Sequence, residues 1–280
     1  MPIAEHWKIE NLPWDQLDKS KVGPDLLKVV KAAALVEYGA NAYADYLCKV
    51  FDGDAEFQQQ ARDWAVEEVQ HGKALGLWAE KIDPTWNLEA AMAKFRAGYS
   101  PEHFLNASAA SIRGSRAGEM VARCMVETGT SSYYSAIGDS CDEPVLKEIC
   151  KQIAADEFQH YKLFYDVLNK YLATESLGRI QRLKVALGRI AESEDDELSY
   201  AFYAANSNEG EAYDRAACNK AYMSRAYTFY QPKHLDRAVA MIFKACGFKP
   251  HSLGYKLATK VAWWQINRQA EAGRKLAQAA

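Results

Sequence analysis

The sequence predicts an all-α protein whose first part is a four-helix bundle, and three observations support this prediction. The chain has only 8 prolines and 16 glycines in 280 residues, and so few helix breakers favour long helices over a sheet with many turns. Apolar side chains recur at helical spacing over most of the chain. Turn and cap signals divide residues 20–175 into two pairs of helices with a longer connection between them.

The first pair of helices is joined by a short turn. Pro24 suits the first turn of a helix, where its missing N–H is tolerated, and no breaker interrupts the pattern from there to Phe51. An Asp-Gly-Asp turn follows, and its last residue, Asp54, is a good N-cap for a second helix. Pro84 ends that helix. The sequence therefore predicts one continuous helix over 24–51 and a second from Asp54 to about residue 82.

The second pair of helices has the same form. A third helix is predicted from about Ser115 to Gly138, and a fourth from Asp142, with Pro144 in its first turn, to about Thr174. Short turns make the helices of each pair antiparallel. The connection between the pairs has about 30 residues and can cross the whole length of a bundle, which gives two hairpins joined by one long crossover.

The two hairpins resemble each other in sequence. The stretch VEYGANAYADYL from Val36 resembles VETGTSSYYSAI from Val126, and AVEEVQHGKAL from Ala65 resembles AADEFQHYKLF from Ala154. The two offsets are 90 and 89 residues. Such constant spacing indicates an internal duplication.

The last hundred residues are expected to form a helical extension, residues 176–280, which packs on the bundle or serves in oligomerisation. Its expected helices cover residues 176–205, 209–229, 233–246 and 252–275. The acidic run ESEDDE at 192–197 predicts a solvated helix end or a loop.

Composition excludes several classes of function. The net charge of -3 and the pI of about 6.1 give no overall attraction to nucleic acid or to an anionic membrane. No apolar run is long enough for a membrane span, and the N-terminus lacks the cationic start and apolar core of a signal peptide. The six cysteines contain no C-x-x-C pair, and no nucleotide-binding or serine-hydrolase motif occurs. We therefore expect a cytoplasmic protein that binds no nucleic acid.

Two Glu-x-x-His pairs carry the candidate chemistry. Glu68 and His71 are three residues apart on the second helix, and Glu157 and His160 are three apart on the fourth. This spacing places both members of a pair on one helix face, where they can meet one metal ion. The other four histidines have no acid at helical spacing and are expected on the surface or in loops: His6, His103, His234 and His251.

Two more glutamates extend the set to four acids. Glu37 lies 31 residues before Glu68, and Glu127 lies 30 before Glu157, so an antiparallel hairpin brings each couple to the same height. Their same-face neighbours are mainly apolar, and a bare buried carboxylate costs several kcal/mol. Four carboxylates and two divalent cations sum to zero charge, which favours a dinuclear metal site.

The ligand types indicate which metals suit the site. Mixed carboxylate and imidazole ligation favours iron or manganese, and it lacks the thiolates typical of structural zinc. Two iron ions are preferred because oxygen donors and open positions support O₂ chemistry, with manganese as the alternative.

The combined pattern resembles the ferritin-like di-iron carboxylate superfamily, which includes rubrerythrins and bacterial di-iron oxidases, over about residues 24–174. The resemblance implies that Glu68 and Glu157 bridge the two metals. It further implies one acid and one histidine on each metal, in the pairs Glu37 with His71 and Glu127 with His160.

The resemblance also suggests residues around the ligands. The family often places an acid just before each bridging Glu to orient the histidine of the opposite hairpin, and Glu67 and Asp156 occupy those positions. Tyr134 and Tyr161 lie near the same helix faces, either as redox or hydrogen-bonding neighbours of the site or as plain core residues. In contrast to rubrerythrins, the chain has no C-x-x-C rubredoxin module, and it is longer than ferritins.

Two functions remain open from the sequence. The first is a di-iron oxidoreductase that activates O₂ or peroxide, with an external electron donor and a small-molecule substrate as further candidate partners. The second is a ferritin-type ferroxidase or metal-handling protein. A monomer or homodimer would favour the enzyme, and a 12- or 24-subunit cage would favour storage.

A substrate pocket is expected beside the first helix. Small side chains line the helix around Glu37, and an apolar pocket next to a metal can hold a substrate. Part of residues 176–280 would cap it. The alternative is that these alanines only allow close packing or an oligomer contact: Ala33, Ala34, Ala40 and Ala44.

Overall fold

The computed structural model describes residues 7–99, 110–195 and 197–279, and every regular element among them is helical. The all-α prediction is therefore confirmed. Three short 3-10 turns precede the first α-helix. In chain order the α-helices are α1 Pro24–Tyr38, α2 Asn41–Val50, α3 Ala55–Ile82, α4 Leu88–Gly98, α5 Arg116–Ser140, α6 Pro144–Leu172, α7 Arg179–Asp195, α8 Glu197–Asn206, α9 Arg215–Ala226, α10 Pro232–Ala245 and α11 Leu253–Ala279. Among these described helices, none combines the length and the hydrophobicity that crossing a bilayer requires.

Side-chain caps fix where the long helices begin. The Asp54 carboxylate accepts the N–H of Phe57 at the start of α3, and the Ser115 hydroxyl accepts the N–H of Gly118 at the start of α5. Each cap satisfies a backbone donor that has no partner inside its own helix.

The cap of α6 is Glu143, not the predicted Asp142. The buried Glu143 carboxylate accepts the N–H groups of Val145 and Leu146, and it also accepts the indole N–H of Trp78 at 2.8 Å. The longer side chain reaches the α3 residue as well as its own helix end. One buried acid thus joins the two hairpins.

The first predicted helix is interrupted directly after Glu37. Gly39 and Ala40 form a turn between α1 and α2, and the N–H of Ala40 bonds to the carbonyl of Glu37 at 3.2 Å. The prediction of one continuous helix over 24–51 was therefore wrong. The turn lies beside a close approach of α1 to α3, where a Cβ at Gly72 would stand 2.5 Å from the backbone nitrogen of Tyr38.

Two hydrophobic clusters lie on either side of a buried polar layer. The first core cluster includes Val29, Leu75, Trp78, Ile137 and Ile149. The second core cluster includes Leu47, Phe51, Phe57, Met120 and Phe164. In α3, α5 and α6 the predicted metal-ligating residues lie between residues of the first core cluster and residues of the second.

The order of the clusters along each helix gives its direction. Helix α1 runs from the first core cluster towards the second, and α3 runs back. Helix α5 runs from the second core cluster to the first, and α6 returns. The helices of each hairpin are therefore antiparallel, and the connection from α3 to α5 leads from one end of the layered core to the other.

The C-terminal helices pack against these hairpins. Helix α8 lies on α1 and α4, while α7 and α10 lie on α5. The acidic run 192–197 was predicted to be solvated, but Glu197 is 7% exposed and starts α8. Tyr43 donates a hydrogen bond to its carboxylate at 3.0 Å, which explains why this acid is buried.

One of the four remaining histidines also differs from expectation. His234 is buried, with Nε2 2.9 Å from a carboxylate oxygen of Asp139. This contact ties α10 to the end of α5. His251 is exposed as expected, and His6 and His103 lie outside the described residues.

Gly72→Ala should destabilise the protein. The new methyl group would meet the backbone of Tyr38, which cannot rotate away as a flexible side chain can. We expect a loss of about 1–3 kcal/mol in the free energy of unfolding, measured with urea. The control is Gly188→Ala, where the methyl group meets open space within a helix, and we expect a gain of up to about 1 kcal/mol. Equal stability of the two variants would contradict the close approach of α1 and α3.

Candidate metal centre

The six predicted ligand residues lie together in the polar layer between the two core clusters. None of them is more than 5% exposed. They come from four helices: Glu37 from α1, Glu68 and His71 from α3, Glu127 from α5, and Glu157 and His160 from α6.

The six residues form two overlapping groups of four. Within each group, one ligand atom from each residue lies within 4.8 Å of the others. Glu68 and Glu157 belong to both groups. Glu37 and His71 complete one group, and Glu127 and His160 complete the other. This buried Glu/His cluster can hold a metal ion.

Both imidazole rings turn the same nitrogen towards the carboxylates. Nδ1 of His71 lies 3.3 Å from Oε1 of Glu157, and Nδ1 of His160 lies 3.0 Å from Oε1 of Glu68. Neither pair has the geometry of a hydrogen bond, and both Nδ1 atoms lack a hydrogen-bond partner among the described residues. The two rings therefore present their Nδ1 lone pairs or protons to the centre of the cluster.

The opposite ring nitrogens are held by acids from the other hairpin. Nε2 of His71 lies 2.9 Å from the Asp156 carboxylate on α6. Nε2 of His160 lies 2.8 Å from the Glu67 carboxylate on α3. The structure thus brings both predicted orienting acids to their histidines. A carboxylate on Nε2 fixes the ring and makes Nδ1 a better donor to a metal.

Unpartnered polar atoms test whether a metal suits the site. Both carboxylate oxygens of Glu127, Oε1 of Glu157 and the two Nδ1 atoms are buried without a hydrogen-bond partner in the described chain. Buried polar groups of this kind are rarely left unsatisfied in native proteins. All of them are metal-ligand atoms and they converge on one place, so the donor set fits divalent cations.

Without metal, protons neutralise the cluster. Burial, together with the charges of the neighbouring Glu68 and Glu157, raises the pKa of Glu37 and of Glu127 well above the carboxyl value of 4.5. Burial opposes the protonation of both histidines, but hydrogen bonds to carboxylates hold the pKa of His71 and of His160 well above 6.5.

The two shared acids behave in the opposite way. Burial would raise the pKa of Glu68 and of Glu157, yet the Glu37 carboxyl beside Glu68 and the two imidazoles beside both acids hold both pKa values below 4.5. Four protons then offset the negative charge of the four carboxylates: one each on Glu37, Glu127, His71 and His160. Two divalent cations would supply the same four positive charges, so metals and protons compete for this layer.

Two hydroxyl groups fix the carboxylates of the cluster. Tyr134 donates a short hydrogen bond to Glu37, and Thr130 donates to Oε2 of Glu157 at 2.6 Å. Tyr134 is therefore a hydrogen-bonding neighbour of the site. Tyr161 is not, since its hydroxyl donates to the carbonyl of Met241 at 2.7 Å and joins α6 to α10.

Trp7 is a site residue that the sequence analysis missed. Its indole N–H donates to Asp156 at 2.7 Å, and its ring lies parallel to that of His71 with centroids 6.1 Å apart. Gln70 donates to its carbonyl oxygen at 2.8 Å. No periodic signal could have found this residue, because it lies before the first helix and about 150 positions from Asp156.

A cavity of about 40 Å³ lies beside the cluster. A water molecule needs roughly 10–15 Å³ on this measure, so the cavity accepts two or three water-sized molecules. The four alanines that were expected to line the pocket are not among the lining residues of this cavity. Ala33 and Ala34 pack in the first core cluster, and Ala40 and Ala44 pack in the second. Its walls include Glu37, Tyr43, Trp64, Arg123, Glu127, Thr130, Arg189 and Glu197.

The extension contributes to this cavity as expected, through Arg189 of α7 and Glu197 of α8. Their charges lie 3.7 Å apart. The pattern of apolar positions could not reveal either residue, because both are charged and lie far from the hairpins in sequence.

The chain was compared with protein-family models and with curated protein sequences. No protein-family model matches the chain, and no curated protein sequence matches it. The interpretation of the centre therefore rests on the geometry of its own residues.

Loss of an orienting acid should weaken metal binding without removing a ligand. We expect Glu67→Gln and Asp156→Asn each to lower the affinity for Fe(II) or Mn(II) by about 10–100-fold, because each leaves one imidazole without its carboxylate partner. Competition with a chelator measures this. The matched controls are Glu56→Gln on α3 and Asp166→Asn on α6, both exposed. Wild-type affinity in both acid variants would show that these contacts do not support the site.

Metal-free protein should lose stability as the pH rises. Groups with raised pKa values bind more protons in the folded chain than in the unfolded chain. They stabilise the fold fully at a pH below their pKa in the unfolded chain, and this stabilisation is lost as the pH rises through their pKa in the folded chain. For the two histidines this loss starts above 6.5. We expect the Tm of metal-free protein to fall between about pH 6 and 9. The metal-loaded protein, whose cluster holds no such protons, is the control; a parallel fall in both forms would contradict proton–metal competition.

Proposed function

We propose that the chain is a ferritin-like di-iron oxidoreductase that activates O₂ or peroxide. One observation carries the proposal: two four-residue groups share Glu68 and Glu157, and each adds one glutamate and one histidine. In this arrangement the shared acids would serve both ions, Glu37 and His71 would complete the first ligand set, and Glu127 and His160 would complete the second.

The helix directions support the same assignment. Two antiparallel hairpins with a connection that runs the length of the core are the topology of ferritin-like bundles with a single crossover. Each hairpin supplies one glutamate and one Glu-x-x-His pair. Metal sites of this bundle class are built from that set on facing helices.

The choice of iron follows from the donor set. Carboxylates and imidazoles suit iron and manganese, and no thiolate belongs to either group. When bound, a pair of iron ions supplies redox chemistry with O₂ or peroxide, and an external electron donor would return it to the reduced state. Manganese is the alternative metal.

The surrounding residues have defined tasks in this proposal. Glu67 and Asp156 hold the Nε2 atoms of the histidines. Thr130 and Tyr134 keep one oxygen of Glu157 and one of Glu37 oriented by donating hydrogen bonds. The cavity beside the centre has a volume of about 40 Å³, which is enough for a molecule of a few heavy atoms such as O₂ or hydrogen peroxide.

Replacement of a bridging acid tests the proposal. Protein purified with iron supplied should contain close to two metals per chain, and Glu68→Ala should lose this metal because the change removes one ligand from both ions. Elemental analysis measures the content. Glu56→Ala is the control on the same helix, since its side chain is 78% exposed. The buried Glu119 is unsuitable as a control, because it accepts hydrogen bonds from Tyr46 and Ser111. Normal metal content in Glu68→Ala would refute the site.

The reaction is tested by following O₂ and peroxide consumption after Fe(II) addition. An enzyme should turn over repeatedly with a reductant, with a constant two irons per chain. Accumulation of many Fe(III) ions per chain in a 12- or 24-subunit assembly would instead establish the ferritin-type alternative.

A further inference from the structure

One wall of the cavity carries a buried positive charge that forms no ion pair with any residue that the structure describes. Arg123 is 3% exposed and lies on α5, one turn before Glu127. No hydrogen bond or ion pair of its guanidinium group is found within the described part of the chain. A buried charge is normally paired with an opposite charge or hydrogen-bonded.

Two aromatic rings hold this guanidinium in place. Its central carbon lies 4.7 Å from the ring centre of Tyr43 and 5.5 Å from that of Trp64. Such cation–π contacts stabilise the charge, but a ring face does not accept the five N–H bonds that a guanidinium offers. The contacts therefore fix the group and leave its hydrogen-bonding capacity for something else in the cavity.

The other charges of the cavity do not fill this role. Glu197 lies 3.7 Å from Arg189 and accepts the hydroxyl hydrogen of Tyr43. The four carboxylates of the metal centre each lie within 3.9 Å of a nitrogen of His71 or His160. Among the described charged residues of the cavity wall, Arg123 is the one for which no ion pair is found.

We propose that Arg123 is the receptor for a small organic monocarboxylate that binds in this cavity. The planar guanidinium fork matches the two oxygens of a carboxylate. A single guanidinium favours a monoanion over a phosphate dianion, and the cavity of about 40 Å³ accepts an acid with few heavy atoms, such as formate or acetate. Since Arg123 and Glu127 are neighbours on one helix face, the carbon end of the acid would point to the metal centre.

The proposed acid site consists of residues of the chain and does not depend on the metal. It is therefore separated from the di-iron proposal by testing full-length protein both after metal removal and after anaerobic loading with Fe(II). Formate and acetate are the probes, at constant ionic strength. The measurements are calorimetric Kd values and the rise in Tm that each probe causes.

Both metal states of the wild type should bind acetate, and acetamide, which has the same shape but no charge, should not bind. Arg123→Gln should weaken acetate binding at least about tenfold because it removes a charged bidentate partner. It should keep two metals per chain, since Arg123 is no ligand. Arg96→Gln, at an exposed arginine, should bind acetate normally.

Arg123→Lys is a second variant that tests the proposal even if Arg123→Gln does not fold. Lysine keeps the charge but not the fork, so acetate should bind more weakly than to wild type and more tightly than to Arg123→Gln. The proposal is overturned if neither probe binds to the wild type, or if folded Arg123→Gln or Arg123→Lys binds acetate as the wild type does. Nitrate binding as tight as acetate binding would also overturn it, because the site would then select only a planar anion. Loss of metal with intact acetate binding would count against the di-iron proposal alone.

Discussion

Charge balance in one buried layer is the constraint on which the rest of the structure depends. Four glutamates with almost no exposure cannot all be ionised in a protein interior without compensation. The four negative charges of the ionised carboxylates must be offset by four positive charges, which can come from protons or from metal ions. The two imidazoles take part in either case, by binding a proton or by binding a metal. The layer would be neutral in either state, but only bound metal would use the Nδ1 atoms and the Glu127 oxygens, which have no hydrogen-bond partner among the described residues.

The fold is arranged around this layer. Two apolar clusters cover it from both ends of the hairpins, and contacts between the hairpins run through it. Asp156 and Glu67 each cross from one hairpin to the histidine of the other, while Glu143 joins the start of α6 to Trp78 of α3. The residues that shape the site therefore also hold the two hairpins together.

Local patterns in the sequence predicted the helices and the six clustered residues because helical periodicity and the Glu-x-x-His spacing are short-range signals. Contacts between distant segments could not be predicted in this way. The turn after Glu37 depends on the approach of α1 to Gly72, and the burial of Glu197 depends on Tyr43 and Arg189. Trp7 and Arg123 acquire their roles only when the N-terminal segment and α2 reach the site.

The two tryptophans beside the histidines make the duplicated site unequal. The indole of Trp7 lies parallel to His71, whereas Trp64 meets His160 with its edge, at 83° between the ring planes. Trp7 also bonds to the acid that holds His71. The two hairpins supply equivalent ligand residues, but the aromatic residues that cover them differ. Two chemically identical ions bound here would therefore differ in affinity and in spectrum, and they would enter the protein in sequence rather than together.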